Sequence, residues 1–494
     1  MKVRKFGVGL IIFGTFGIAL SALSDLLPGG KAGMQSAQIL GIEISTVIIL
    51  IGVWLLTLDG TSENYTGKQV YDLVNQTLNL PVIVWLLIGF LVIYILFFIS
   101  PLFLNTTLKL NYLDKYLPER FPIGNDLVAL TDLIRAWFLD HRSPYPAQFY
   151  PPLTYLLFSP LLLVGDYATL YKVFTVSSLA SYILLTLLLP AKIVETKKFS
   201  IVLLFFITGL FSYGFQFELE RGQYNIFTFL LCVLSIYIFH YHRKQRLFAY
   251  LLFSLSIQLK LYPAIFIVMF VDDWRNWKDN IARFAAIGVF NFLLLFSMGP
   301  RIFSEFIQSV FVQVATPSWN SGLNHSIQSF VEVLTINGLG TIDPDILAML
   351  KPNLVLLKLM LFAIYIAFLV FSILLYQWRG KTGLDANLLL VCTIGALIIP
   401  VSYDYTLSIL AMPMSLFLSS ILEPKESSHR KITIILLMGM SLVYSSMLIP
   451  PLYKPPYLGN NFPALFLILI LAGALAFMNF KNSKLPTKNI HPSN

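Results

Sequence analysis

Leu247-Phe-Ala-Tyr-Leu-Leu-Phe-Ser-Leu-Ser-Ile-Gln-Leu-Lys-Leu-Tyr-Pro-Ala-Ile-Phe-Ile-Val-Met-Phe-Val271 is an apolar run of 25 residues with one charge in it, Lys260, and its flanks decide how the chain is threaded. A stretch of this length crosses a bilayer once. Yet both ends are basic: His242, Arg243, Lys244 and Arg246 precede it, and Arg275, Lys278 and Arg283 follow. Positive loops stay on the cytoplasmic side, so a single crossing would export one of the two basic flanks. The run therefore reads as a hairpin of two half-helices, turned at Lys260-Leu261-Tyr262-Pro263. Proline lacks the N–H that a helix interior uses, which places the break there. Irregular backbone at membrane depth survives only where protein buries it or water reaches it, so the tip is expected to border a cavity. The other reading is one tilted crossing kinked at Pro263.

The same charge rule threads the rest. Of 494 residues, 57% are hydrophobic and 12% charged, with a mean hydropathy of +0.76. Such a composition excludes a soluble domain. Further basic clusters, Lys2–Lys5, Lys192–Lys198, Arg379–Lys381, Lys425–Lys431 and Lys481–Lys488, are all assigned to the cytoplasm. Crossings are expected over 6–23, 39–57, 80–100, 168–190, 200–218, 223–240, 281–298, 354–377, 385–400, 405–421, 432–449 and 461–478. The run 152–165 is too short to be another, and opens with Pro151-Pro152. The first span reads as an anchor, since no small-residue cleavage site follows it. Cys232 and Cys392 sit in apolar spans and indicate neither a disulfide nor a metal site. The net charge of +9 fits loops beside anionic lipid, with no nucleic-acid patch. The expected fold class is thus an all-α polytopic membrane protein of about 12 transmembrane helices, with re-entrant half-helix hairpins and an interfacial amphipathic helix.

With the basic loops inside, the polar motifs gather outside. Residues 124–140 set Leu127, Leu130, Ile134, Trp137 and Phe138 on one helical stripe, as in a helix lying in the membrane interface. Asp126 begins that helix, and on spacing alone it is either an N-cap or a carboxylate with a chemical task. Ser143-Pro-Tyr145-Pro-Ala-Gln-Phe-Tyr150-Pro-Pro152 is a rigid aromatic turn back to the bilayer. Glu218, Glu220, Arg221, Gly222, Gln223 and Asn225 straddle the junction of two spans, where Glu218 and Arg221 read as a self-neutralising pair or as site groups. Lys260 has no acid nearby in sequence. It requires an anion such as phosphate, a carboxylate from another segment, or water reached by snorkelling. The 299–353 loop carries Asn324, His325 and Ser326, with His325 either exposed or donating to a phosphate or sugar hydroxyl. Tyr403, Asp404 and Tyr405 open the tenth crossing.

The order of these pieces resembles glycosyltransferase family 87, enzymes of the GT-C fold similar to polyprenyl-phosphate-mannose-dependent mannosyltransferases. The resemblance is carried by the loop aspartate, Tyr150-Pro-Pro-Leu-x-x-Leu-Leu-x-x-Pro-Leu161, Gly222-Gln223-x-Asn225, Lys260-x-x-Pro263, Asn324-x-Ser326 and Pro400-Val-Ser-Tyr403. It covers roughly residues 80–425. It implies a polyprenyl-phosphate-linked sugar donor, a glycan or glycolipid acceptor, and an inverting transfer outside the membrane. By that analogy Asp126 is the general base. Lys260, Arg221 and His325 then take the donor phosphate, and Tyr145, Tyr150, Gln223, Asn225, Asn324, Ser326, Tyr403 and Asp404 bind substrate. No metal or other cofactor is implied. The chain departs from the family around the base, Gly124-Asn125-Asp126-Leu127, and at Tyr403-Asp404-Tyr405, where members commonly carry Trp and His.

Three regions are expected: 1–79 with two helices of no assigned role, 80–425 as the catalytic membrane core, and 426–494 as a terminal hairpin and tail. The expected location is a bacterial plasma membrane with the site on its outer face. A secondary transporter would share the spans and the broken helix, but should show inverted repeats, and no half resembles the other. A lipid-linked polysaccharide polymerase or ligase would use a diphosphate donor and more outer arginines than Arg301.

Overall fold

In the computed structural model the described residues are 2–23, 45, 48, 124–145, 150–164, 166–194, 199–210, 212–315, 324–333, 345, 353–379, 383–399, 402–421 and 462–484. The expected crossings 80–100 and 432–449 lie outside them, as does 39–57 apart from residues 45 and 48. Every element of regular structure among the described residues is helical, and the one extended pairing is a bridge between Asn324 and Tyr403. The chain is a membrane protein: three of these helices are long and apolar enough to cross a bilayer, Thr169–Ile193, Leu354–Arg379 and Asp404–Ile421.

The core is organised around Ala386–Ile398, whose residues from Asn387 to Ile398 are all buried. It is apolar all round, as a helix enclosed by others must be. Tyr262–Met269, Ala411–Ile421, Leu354–Arg379 and Phe462–Lys484 surround it. Outside these, Phe199–Leu210 packs on Ala411–Ile421, and Asn225–Tyr241 runs along Arg246–Leu259.

The 247–271 run is broken where its proline and lysine stand. Arg246–Leu259 is an α-helix, Lys260 is extended at φ −150° and ψ 144°, and Tyr262–Met269 continues as a 3₁₀ helix with Pro263 in its first turn. Thr154 ties down the break by donating to the carbonyl oxygen of Gln258 at 2.7 Å. Gln258 in turn donates to Asn291 Oδ1 at 3.2 Å, and Asn291 donates to Ser254 Oγ at 3.0 Å. Backbone groups freed by the break are thereby satisfied inside the protein.

Two expected spans are interrupted. The 200–218 stretch is Phe199–Leu210 followed by a separate helix, Tyr213–Arg221, because Ser212 caps a new start by accepting from the Phe215 N–H. The 405–421 stretch opens as a 3₁₀ segment, Asp404–Leu410, before becoming α-helical. Both breaks face each other, since Tyr213–Arg221 packs on Asp404–Leu410. The 152–165 run is a short helix, Pro152–Phe158, with a 3₁₀ turn after it. The stripe of Asn125–Phe138 faces protein more than lipid: Leu127, Leu130 and Ile134 are buried in the core, Trp137 packs against it, and Phe138 turns outward.

Candidate active site

The site begins with two glycines. Gly124 (φ 78°) precedes the Asn125–Phe138 helix, and Gly222 (φ 67°) ends Tyr213–Arg221. Left-handed backbone favours glycine because a Cβ would strike the following carbonyl. Here the contact requires it as well: a Cβ on Gly222 would lie 2.8 Å from Leu127 Cβ and 3.4 Å from Gly124 Cα. The Gly124 N–H donates to the Glu220 carbonyl oxygen at 2.6 Å, while Tyr167 and Tyr171 hold Gly124 and Leu219 through their carbonyls, each at 2.7 Å. Two chain segments almost a hundred residues apart are thus clamped backbone to backbone, with Asp126 and Gln223 on the same side of the clamp.

Gln223 is the hub. Its Nε2 donates to Asp126 Oδ2 at 2.6 Å and to the Tyr150 hydroxyl at 3.4 Å, and its Oε1 accepts from Lys260 Nζ at 2.7 Å. The ammonium can only donate, so it fixes which end of the amide faces which partner. Lys260 stands 4.8 Å from the ring centre of Tyr224, 5.5 Å from that of Tyr405 and 5.7 Å from that of Tyr150. Ring faces attract a cation that has lost part of its water. Lys260 is thus neither snorkelling nor paired directly with a carboxylate through a hydrogen bond. Its break in the helix delivers it into an aromatic cage beside the Asp126–Gln223 pair.

Asp126 does not cap its helix, because Gly124 occupies the cap position and no side chain bonds there. Its other oxygen, Oδ1, lies 3.9 Å from Arg221 Nη1, and its side chain is 26% exposed. Arg221 stacks over Phe217 at 5.1 Å and lies 3.4 Å from Glu220 Oε2. Of the two readings of Glu218 and Arg221, the self-neutralising pair does not form among the described contacts. Glu218 turns the opposite way: it accepts from the Ile226 N–H at 2.7 Å and from the Ser408 hydroxyl, tying the start of Asn225–Tyr241 to the Asp404–Leu410 turn. A helix N-terminus offers unpaired N–H groups, and a buried carboxylate is a natural partner for one. In the last turn of Tyr213–Arg221, outside the expected crossings, burial pushes the Glu220 carboxyl up to about 7, with Arg221 opposing and the Asp126 charge adding.

The other expected residues divide. Tyr150 belongs to the cage. Tyr145 supports it from behind, its hydroxyl donating to the Tyr150 carbonyl at 2.5 Å and its ring set against Tyr155 and Phe306. Burial pushes both hydroxyls above the usual tyrosine range, so both remain protonated donors. Asn225 is fully buried, and its carbonyl accepts from the Tyr262 hydroxyl at 3.0 Å.

Asn324, His325, Ser326, Tyr403 and Asp404 form a second cluster. His325 is fully buried, with Nδ1 3.3 Å from Asp404 Oδ1 and Nε2 3.1 Å from Ser402 Oγ and 3.3 Å from Thr406 Oγ1. Asn324 Oδ1 accepts from the Ser326 and Ser402 N–H groups at 3.0 and 3.2 Å. The cluster locks the 324–333 segment onto the start of Asp404–Leu410. It meets the cage through Tyr403 and Tyr405, whose ring centres lie 5.6 Å apart. Residues 316–323, which precede it, lie outside the described residues.

Tyr224 and Tyr405, which complete the cage, were not singled out by the sequence as binding residues. Tyr224 occupies the variable place of Gly222-Gln223-x-Asn225, where attention falls on its neighbours. An aromatic beside a buried lysine's partner is the signal that would have found it. Among the described residues no group of three or more His, Cys, Asp or Glu side chains stands close enough to hold a metal ion.

Residues 149–400 match the model of a family described as glycosyltransferase family 87. The match takes in Tyr150, Arg221, Gln223, Lys260 and the 324–326 segment, and leaves Asp126 ahead of it, tied to the matched region by Gln223. No curated protein and no solved structure matches the chain.

Proposed function

Because the chain belongs to glycosyltransferase family 87, a sugar donor and an acceptor are its substrates, and we propose that it moves one sugar from a polyprenyl-phosphate carrier to a glycan or glycolipid hydroxyl. The observation that supports this most is the single amide between Asp126 and Lys260. A base for the acceptor and a cation for the leaving phosphate must stand on opposite sides of one anomeric carbon. Gln223 holds a carboxylate at one end of its amide and an ammonium at the other, and both are fixed before substrate arrives.

The roles follow. Asp126 accepts the proton of the acceptor hydroxyl as its oxygen bonds to the anomeric carbon. The carbon–oxygen bond to phosphate breaks, its electron pair leaves with the lipid phosphate, and the centre inverts. Lys260 and Arg221 face the charge that develops there. Tyr150 and Tyr405 offer ring faces and hydroxyls to the sugar, while the buried Tyr224, its hydroxyl on the Leu259 carbonyl, holds Lys260 in place. His325, for which the family resemblance implies phosphate contact, would act through the shape of the segment it locks. The catalytic core is taken as 80–425, in a bundle of about 12 crossings, with Arg246–Leu259 and Tyr262–Met269 as a re-entrant hairpin. The positive-inside rule supports a site on the outer face, and the membrane is taken to be a bacterial plasma membrane.

The test uses purified protein in liposomes, given a polyprenyl-phosphomannose donor and an extract of membrane glycolipids. Release of polyprenyl phosphate together with a glycosylated lipid is expected. Asp126→Asn should lower turnover by roughly 10²–10⁴-fold, the usual contribution of a positioned base, with the donor KM held. A transporter would move the donor and release no lipid phosphate. Asparagine at 126 with near-wild-type turnover would remove the aspartate from the chemistry.

A further inference from the structure

Glu218 is a fully buried carboxyl group that the reaction above does not use. It stands between two walls of the cage. One oxygen, Oε1, accepts from the Ile226 N–H at 2.7 Å, at the start of the helix that follows Gln223 and Tyr224. The other, Oε2, meets the Ser408 hydroxyl, three residues beyond Tyr405. The same face of the Tyr213–Arg221 helix makes the rest of the seam, since residues four apart lie one above the other. At Gly214 the helix comes so close to the Asp404–Leu410 turn that a Cβ would stand 2.8 Å from Leu407 Cβ, 3.0 Å from the Ser408 nitrogen and 3.1 Å from the Asp404 carbonyl oxygen. Phe217, beside Glu218, sets its ring 5.8 Å from that of Tyr405.

We propose that Glu218 is a positioning residue: through Ser408 it fixes the Tyr405 wall of the cage against the wall made by Gln223 and Tyr224, and it does so by hydrogen-bond geometry, not by charge. The proton count bears on the second half. The Ser408 hydroxyl has one proton and two acceptors in reach, Glu218 Oε2 and the Tyr405 carbonyl oxygen at 2.9 Å. A carboxylate at 218 takes that proton and leaves the Tyr405 carbonyl without the bond. A carboxyl group that donates to Ser408 Oγ frees the serine to donate onward, and every contact from Glu218 to the Tyr405 backbone is met at once. A glutamine amide at 218 can do the same, accepting from Ile226 and donating to Ser408. The rival role for Glu218 is counter-charge to Lys260, whose charge it feels; for that role only a carboxylate serves.

This inference rests on Tyr405 facing the donor sugar, so Tyr405→Ala is measured beside the seam variants, as initial rates of transfer over a range of polyprenyl-phosphomannose in liposomes. Ser408→Ala and Gly214→Ala should each raise the donor KM about tenfold, the scale of one lost aromatic contact. Their kcat should change little, because the hydrogen bonds from Asp126 through Gln223 to Lys260 do not pass through the turn. Partial unfolding lowers kcat and leaves KM alone, so the split tells displacement from damage even where a variant folds poorly. S408A and G214A combined should be hardly worse than either alone, since both act on one wall. Glu218→Gln should keep the wild-type KM. Wild-type KM in both S408A and G214A, beside a raised KM in Y405A, would overturn the seam alone. Wild-type KM in Y405A would overturn the sugar-facing role of Tyr405 on which the seam depends. A raised KM in E218Q would overturn positioning by geometry and make Glu218 the counter-charge of Lys260.

Discussion

Lys260→Met separates the chemical role of the lysine from a structural one. The substitution keeps a flexible chain of similar length and removes the ammonium. It deletes the 2.7 Å hydrogen bond to Gln223 and the approach to the Tyr224, Tyr405 and Tyr150 rings. A hydrogen bond to a charged group is worth about 1.5–3 kcal/mol, and partly desolvated ring contacts add roughly 0.5–1 kcal/mol each. Against this stands the desolvation cost of the ammonium, again several kcal/mol. The terms nearly cancel, so K260M should fold and melt close to wild type. Turnover has no such offset. Loss of one preorganised group that faces developing negative charge costs about 10²–10³ in kcat, or ~2.7–4 kcal/mol of barrier. The assay is single-turnover sugar transfer at saturating donor, with thermal unfolding of the same preparation in detergent. A variant that melts many degrees early yet transfers sugar at the wild-type rate would refute the reasoning, for it would make Lys260 a structural cation.

Gly222→Ala forces a left-handed alanine, at about 1–2 kcal/mol, and sets its Cβ 2.8 Å from Leu127 Cβ. Both melting temperature and kcat should fall, and a stable, fully active G222A would mean that the Gly124–Gly222 clamp does not place the site. His325→Ala removes the buried ring contacts to Asp404, Ser402 and Thr406 and should lose roughly 1–3 kcal/mol of stability, with donor KM within a few-fold of wild type. A stable H325A with a large rise in donor KM would return the histidine to the phosphate. For topology, Asp140→Cys should react with an impermeant thiol reagent in intact cells and Lys244→Cys should not; both positions are exposed. The opposite pattern would put the site in the cytoplasm.

Much of the fold was legible because it follows from charge and from proline. The break at Lys260 could be read from two basic flanks and Pro263, features that bear on topology whatever the tertiary packing. The break at Ser212 could not be read. A serine in an apolar run looks the same inside a helix as at its cap, and only the Asp404–Leu410 turn packed against Tyr213–Arg221 distinguishes the two. Asp126 illustrates the same limit at the site. Its position near a helix start made capping the ordinary reading, yet Gly124 takes the cap and leaves the carboxylate to Gln223.

What the sequence lacks most is the partner of each charge. Glu218 and Arg221 are three residues apart on one helix, a spacing that permits pairing. The structure separates them because each meets a stronger demand from elsewhere. Glu218 is drawn to the unpaired N–H groups at the start of Asn225–Tyr241, where Ile226 donates at 2.7 Å. Arg221 lies 3.4 Å from Glu220 and 3.9 Å from Asp126. A local pair would have neutralised both residues and built no site. Sending the glutamate to a helix end leaves the arginine's charge beside Asp126 instead of neutralised within its own helix.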